Sequence, residues 1–266
     1  SIGGSLRDLR NVEFVDQNPI GKSSRSNPVT YIKAYDEIRK LWSEQPLAKQ
    51  MGYTAGFFSF NSEGGRCEEC KGEGTITVEM QFMADLVLEC ESCHGKRFKS
   101  DTLEVKFHDK NIFDVLEMTV NQAIEFFNEH GQKKIVKKLL PLQDVGLGYI
   151  KLGQSSSTLS GGENQRVKLA FYLSQEKADP TLFIFDEPTR GIDVGAKVEV
   201  YNVMNSLVKQ GKCVIMVSSE MPEILGMSDR VIVMRGGEVM AEVDRDSEHF
   251  NQEDLMKAAW GGKLDD

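Results

Sequence analysis

Four of the five cysteines fall into two C-x2-C pairs, Cys67/Cys70 and Cys90/Cys93, with nineteen residues between the pairs. Two such pairs, each at a tight turn, can present four thiolates tetrahedrally to one Zn²⁺. A site closed in this way is structural rather than hydrolytic. Gly72, Gly74 and Gly95 follow the pairs, where tight knuckles need backbone freedom. The alternatives are four reduced structural thiols or two disulfides. Disulfides belong to oxidising compartments, and Glu68, Glu69, Lys71 and Glu91 are poor company for buried apolar cysteines. Structural zinc supplies about 10–16 kcal/mol of apparent binding energy, enough to fold a module too small to fold alone. Cys213 lies in an apolar run and reads as a core residue. Just past the second pair, His94, Lys96, Arg97 and Lys99 form a basic turn. It is either a solvated offset to the charge of a four-thiolate site or a tip that contacts phosphates.

A second constellation lies further along. Leu159-Ser-Gly-Gly-Glu-Asn-Gln-Arg166 precedes apolar residues at helical spacing (Val167, Leu169, Ala170, Leu173). Ser160, Gly161 and Gly162 at a helix start offer backbone N–H groups, a hydroxyl and the positive end of the helix dipole to an anion. The plain alternative is a serine-capped helix. Twenty residues on, Asp186 and Glu187 end the apolar run Leu182–Phe185. A carboxylate at that edge of a parallel sheet lies where nucleotides bind and can hold Mg²⁺ through water. Glu187 is then placed to orient and deprotonate an attacking water.

These groups need elements to position them. Residues 11–15 read as a strand and Tyr31–Trp42 as a helix. Residues 75–82 alternate as a half-buried strand, and Leu103, Val105 and Phe107 repeat the pattern. Thr119 and Gln122 form a capping box. Thr181–Phe185 and Cys213–Val217 are short apolar runs suited to strands buried on both faces of a parallel sheet. Val198, Tyr201, Leu207 and Val208 recur at helical spacing between them, and Gly236-Gly237 marks a hairpin. The pattern predicts an α/β fold: a parallel-sheet lobe of ATPase type, an inserted four-cysteine module and a helical region carrying the serine–glycine segment.

With 266 residues, 40% apolar and 27% charged, the chain is neither disordered nor fibrous. It holds no apolar run long enough to span a membrane and no signal-peptide pattern, which predicts a cytoplasmic protein. The net charge of −9 argues against a general nucleic-acid coat. Only −1 of it falls in residues 1–100, so a DNA-facing surface is expected there.

The Leu159–Glu163 signature and the Phe185–Pro188 strand end resemble ABC ATPases. The resemblance implies that Ser160, Gly161 and Gly162 clamp the γ-phosphate of ATP held by an opposing ATPase half or second copy. It implies that Gln17 is the glutamine sensing Mg²⁺ and nucleotide, and that Asp193 is the aspartate of the following loop. Within that superfamily, residues 1 to about 189 resemble the C-terminal half of the UvrA family, the damage-recognition ATPases of bacterial nucleotide excision repair. The likeness rests on Asp16–Gly21, Arg25–Tyr31, Phe58–Cys70, Cys90–Arg97 and Asp144–Tyr149. It implies DNA and a helicase-type repair protein as partners, zinc as structural cofactor, and Lys96, Arg97 and Lys99 as candidate DNA contacts.

Three features depart from this pattern. Gly21-Lys22-Ser23-Ser24 is not a phosphate loop, because the required glycine five residues earlier is Asp16. The family's loop would lie before Ser1, so the chain reads as a fragment that is inactive alone. From Arg190 onward the residues resemble the second ATPase half of monosaccharide importers, as if two related genes were joined beside Asp186–Thr189. Ser219 stands where ABC ATPases usually carry a switch histidine. The expected organisation is a partial ATPase core at 1–30, the zinc module at 31–115, the helical signature region at 116–175 and the α/β lobe at 176–266. An importer subunit, with a membrane-domain partner, and a non-catalytic zinc-stabilised binding module are the competing readings.

Overall fold

The computed structural model describes the chain apart from residues 1–8, 22, 24, 81–84, 176–179, 192–193 and 265–266. Strand β1 (Asn11–Val15) leads into α1 (Pro28–Tyr31), α2 (Ala34–Ser43) and α3 (Pro46–Met51). The cysteine region carries the hairpin β2 (Thr75–Val78) and β3 (Leu86–Glu89). Next come α4 (Ser100–Glu104), the small hairpin β4 (Lys106–Phe107) and β5 (Lys110–Asn111), then α5 (Ile112–Glu117), α6 (Val120–Glu129) and α7 (Lys133–Asp144). The remainder is α8 (Gly161–Leu173), β6 (Thr181–Asp186), α9 (Val194–Lys209), β7 (Cys213–Val217), α10 (Met221–Met227), β8 (Arg230–Arg235), β9 (Glu238–Asp244) and α11 (Gln252–Ala259).

The site is positioned by a parallel sheet of order β1-β6-β7. Its register pairs Val15 with Phe185 and Phe185 with Met216, so Asp16 and Asp186 leave the same edge side by side. Phe183 and Phe185 face the main core, shared with Val167 and Leu169 of α8 and Val203 and Leu207 of α9. Trp42, Tyr35 and Ile38 of α2 join the same core. A smaller cluster of Val231, Val233, Val243, Leu255 and Ala258 holds the β8–β9 hairpin against α11.

Local chemistry accounts for the helix starts. Thr119 accepts from the Gln122 amide at 3.2 Å while the Gln122 side chain accepts from the Thr119 amide at 3.0 Å, the expected capping box. Asn111 with Asp114 and Ser160 with Glu163 repeat it on α5 and α8. The helix expected over Tyr31–Trp42 is instead two, because Lys33 takes a left-handed conformation at φ 59° and turns the chain between α1 and α2. The alternation at Leu103, Val105 and Phe107 does not make one strand. Leu103 lies on α4, where the buried Thr102 hydroxyl donates to the Gly65 carbonyl at 3.0 Å and ties that turn to the cysteine region.

One expectation fails at the sheet itself. Its strands are not covered on both faces: Val12, Phe14, Ile215 and Val217 are 48–56% exposed. Cys213 shares their face by register and is exposed rather than in the core. Apolar runs report that a strand can be buried, and the helices α8 and α9 take up only one side of this sheet.

Candidate functional site

The nucleotide-type cluster forms where β1 and β6 end. Phe14, Asp16, Gln17, Asn18, Asp186, Glu187 and Arg190 line a cleft of about 320 Å³. The Gln17 side-chain amide donates to the Glu187 carbonyl at 3.1 Å and to the Arg190 carbonyl at 3.2 Å. A methyl group on Gly161 would lie 3.1 Å from Gln17, so the start of α8 and Gln17 are in close packing. The structure therefore brings Gln17, Ser160, Gly161, Gly162, Asp186 and Glu187 into one neighbourhood. Asp193 lies outside the described residues.

Glu187 has φ 48°, a conformation L-residues adopt at a cost. It is held there by its own N–H, which donates to the Val217 carbonyl at 2.8 Å. Its carboxylate accepts from the Ser219 hydroxyl at 3.1 Å. Ser219, expected by resemblance at the switch-histidine position, thus touches the candidate base directly.

Several residues unassigned in the sequence hold this geometry. Lys168, about two turns into α8, pairs with Asp16. Burial raises the pKa of Asp16, but the hydrogen bonds from Lys168 and Asn18 outweigh it and hold the carboxyl below its usual 3.8. The Gln165 amide bridges the Val15 carbonyl at 2.9 Å and the Asp186 carbonyl at 3.2 Å, tying both strand ends to α8. Asn164 donates to the Ser156, Leu159 and Ser160 carbonyls and accepts from the Ile20 amide at 3.1 Å. Arg166, 5% exposed, donates to the Val145 and Gly146 carbonyls and so anchors the Asp144–Tyr149 loop. Their common signal was the polar run Glu163–Arg166 at the start of a helix, which reads as solvated until the fold buries it.

The serine–glycine helix start is not an open anion site. Glu163 accepts from the Ser160 amide at 2.7 Å and from the Tyr149 hydroxyl at 2.6 Å. Burial opposes its charge, yet these hydrogen bonds lower its pKa overall. The chain's own carboxylate occupies one of the donors, and the amides of Gly161 and Gly162 are what an incoming phosphate would meet.

In the cysteine cluster the four sulfurs lie within 4.8 Å of one another. Cys67 and Cys90 are 3.8 Å apart and Cys70 and Cys93 3.6 Å. Tetrahedral zinc with bonds of about 2.3 Å requires sulfurs roughly 3.8 Å apart, so this group fits a metal ion. Each knuckle turns through two left-handed residues, Lys71-Gly72 and His94-Gly95. A methyl group on Gly72 would fall 2.1 Å from the Phe60 carbonyl oxygen, which requires glycine. In the basic turn, Arg97 stacks over Phe60 at 5.5 Å and Lys99 pairs with Glu68 at 2.5 Å, leaving Lys96 exposed.

The fold and the cluster can be set against known proteins. A family model described as ABC transporter matches residues 67–190. The UvrABC system protein A of Treponema pallidum is 48% identical over 248 residues, covering 91% of this chain and 25% of that protein. That of Thermus thermophilus is 47% identical over 243 residues, covering 89% of this chain and 25% of the relative. The crystal structure of UvrA2 from Deinococcus radiodurans superposes with a TM-score of 0.83 at 42% identity, over 90% of this chain and 30% of that one. Over about nine tenths of its length, the chain is similar to UvrA proteins. Its fold is the ABC ATPase type expected from the sequence, and it spans about a quarter of the curated relatives it matches. A match over 91% of 266 residues covers about 242, which exceeds the 189 residues up to Thr189 by about 53. The UvrA likeness thus continues past the point where an importer-like tail was expected to begin, and the comparisons do not support a joined chain.

Proposed function

We propose that this chain is part of a UvrA-type ABC ATPase acting in DNA damage recognition during nucleotide excision repair. The observation that carries the reading is that one chain carries both the meeting of Gln17, Glu187 and the α8 start and a four-cysteine group spaced to hold a metal ion. Cys67, Cys70, Cys90 and Cys93 would hold Zn²⁺, which supplies folding energy to the hairpin and knuckles around it. Asp186 and Gln17 would hold Mg²⁺ through water, and that ion, when bound, offsets phosphate charge. Glu187 accepts the proton of the attacking water, its carboxylate aimed by the Ser219 hydroxyl. Ser160, Gly161 and Gly162 would clamp the γ-phosphate of ATP held by an opposing ATPase half or a second copy, and Asp193 would be the aspartate of the following loop. DNA and a helicase-type repair protein are the partners this reading assigns, and Lys96, with Arg97 and Lys99, remains a DNA-contact candidate.

The test is metal analysis of the purified chain together with duplex binding. About one zinc per chain, lost in Cys67→Ser, and salt-sensitive binding to duplex DNA are expected. A chain that folds with no zinc and ignores DNA at low salt is not a UvrA-type module.

A further inference from the structure

The largest run of positive charge in the sequence belongs to no site described so far. Lys133, Lys134, Lys137 and Lys138 fall within six positions of α7, and no acidic residue intervenes before Asp144. At 100° per residue these four side chains span an arc of about 140°. Ile135, Leu139 and Leu142 are buried on the other side of the helix, so packing turns the lysines outward, and Lys133, Lys134 and Lys137 are exposed. Lys138 is anchored to α2, 3.0 Å from the Lys33 carbonyl and 3.4 Å from Glu37. The first turn of α7 has no acidic residue and no side-chain cap, although the helix dipole there disfavours cations. Stability of this helix does not call for such a placement.

We propose that the lysine face of α7 is a contact surface for the phosphate backbone of duplex nucleic acid. This rests on the DNA-binding reading above and adds a surface to it. From Lys133 to Lys138 the helix rises about 7.5 Å, close to two base-pair rises of roughly 3.4 Å measured along the duplex axis. Neighbouring lysines can therefore meet successive phosphates. In the basic turn, Arg97 is stacked on Phe60 and Lys99 is paired with Glu68. A lipid surface fits less well: only Leu140 among the apolar residues of α7 is exposed, whereas a membrane-lying helix needs a broad apolar face.

The experiment measures binding of the whole chain to a short DNA duplex, by fluorescence anisotropy across a salt series. The proteins are wild type, K133Q/K134Q/K137Q and K133R/K134R/K137R, each checked for zinc content and circular dichroism. The glutamine variant is expected to bind roughly tenfold more weakly at low salt, with the slope of log K on log salt shallower by about 0.9 for each phosphate no longer neutralised. The arginine variant keeps its charge and should bind as wild type does. Equal affinity and slope for wild type and the glutamine variant overturn the α7 surface while leaving the DNA-binding reading intact. Equal weakening in both variants also overturns it, because the effect is then not one of charge. Wild type that ignores the duplex overturns both. Parallel binding to phosphatidylserine vesicles, abolished only there in the glutamine variant, would assign the face to a membrane and overturn the proposal.

Discussion

Asp16 and Lys168 form an ion pair at the mouth of the cleft, with side chains 23% and 12% exposed. The folded pKa of Asp16 lies below its usual 3.8, so the pair's contribution is present at pH above that value. It is lost as pH falls through the lower, folded pKa. Asp16→Asn should therefore lower the thermal midpoint at neutral pH and leave it little changed at the acid end, in a series of melts from neutral to strongly acidic buffer. An equal loss at every pH would mean the residue acts by shape alone. Cys67→Ser removes one of four sulfurs at 3.6–4.8 Å spacing. Losing metal binding of about 10 kcal/mol or more, the variant should release its zinc and unfold the knuckles while β1, β6 and β7 persist. Amide exchange confined to residues around 61–99 would report that outcome.

At the scale of elements, caps and registers carry measurable weight. Thr119→Ala deletes the hydroxyl that accepts from Gln122 and should cost about 1 kcal/mol in denaturant melts. A change near zero would show that packing of Val120 and Phe127 alone sets the start of α6. That cap was readable because it needs only two residues three apart. Strands β1 and β7 and the β8–β9 hairpin were likewise legible, each being bounded by polar or glycine residues, and the two C-x2-C pairs announced their cluster by spacing. The turn at Lys33 was not legible, since nothing in Tyr31–Trp42 but the tertiary fit of α1 beside α2 asks for a left-handed lysine. Nor was the interior role of Asn164, Gln165 and Arg166: their partners are carbonyls at Val15, Leu159, Val145 and Asp186, and backbone carbonyls leave no mark in a sequence. The exposed half of the sheet was illegible for a related reason, because a run such as Cys213–Val217 has the composition of a covered strand whether or not a cover is present.

For the molecule as a whole, catalysis and charge point in different directions. The chain contains the candidate base Glu187 but no Gly-x4-Gly-Lys-Ser/Thr segment to cradle a β-phosphate. The 266-residue chain should hydrolyse ATP negligibly above background in a phosphate-release assay, and turnover abolished by Glu187→Gln would reveal an overlooked phosphate loop. Charge balance points to residues 1–100, whereas the largest basic cluster sits on α7; net charge averages over surfaces that fold in opposite directions. The bare sheet face also sorts the five thiols into two kinetic classes. Cys213 is exposed, while Cys67, Cys70, Cys90 and Cys93 are 0–7% exposed. A chromogenic disulfide reagent should therefore register one fast thiol per native chain and the other four only after chelation or unfolding. A single maleimide dye would then settle at the end of the strand beside β6, where it would report any partner that comes to cover that face.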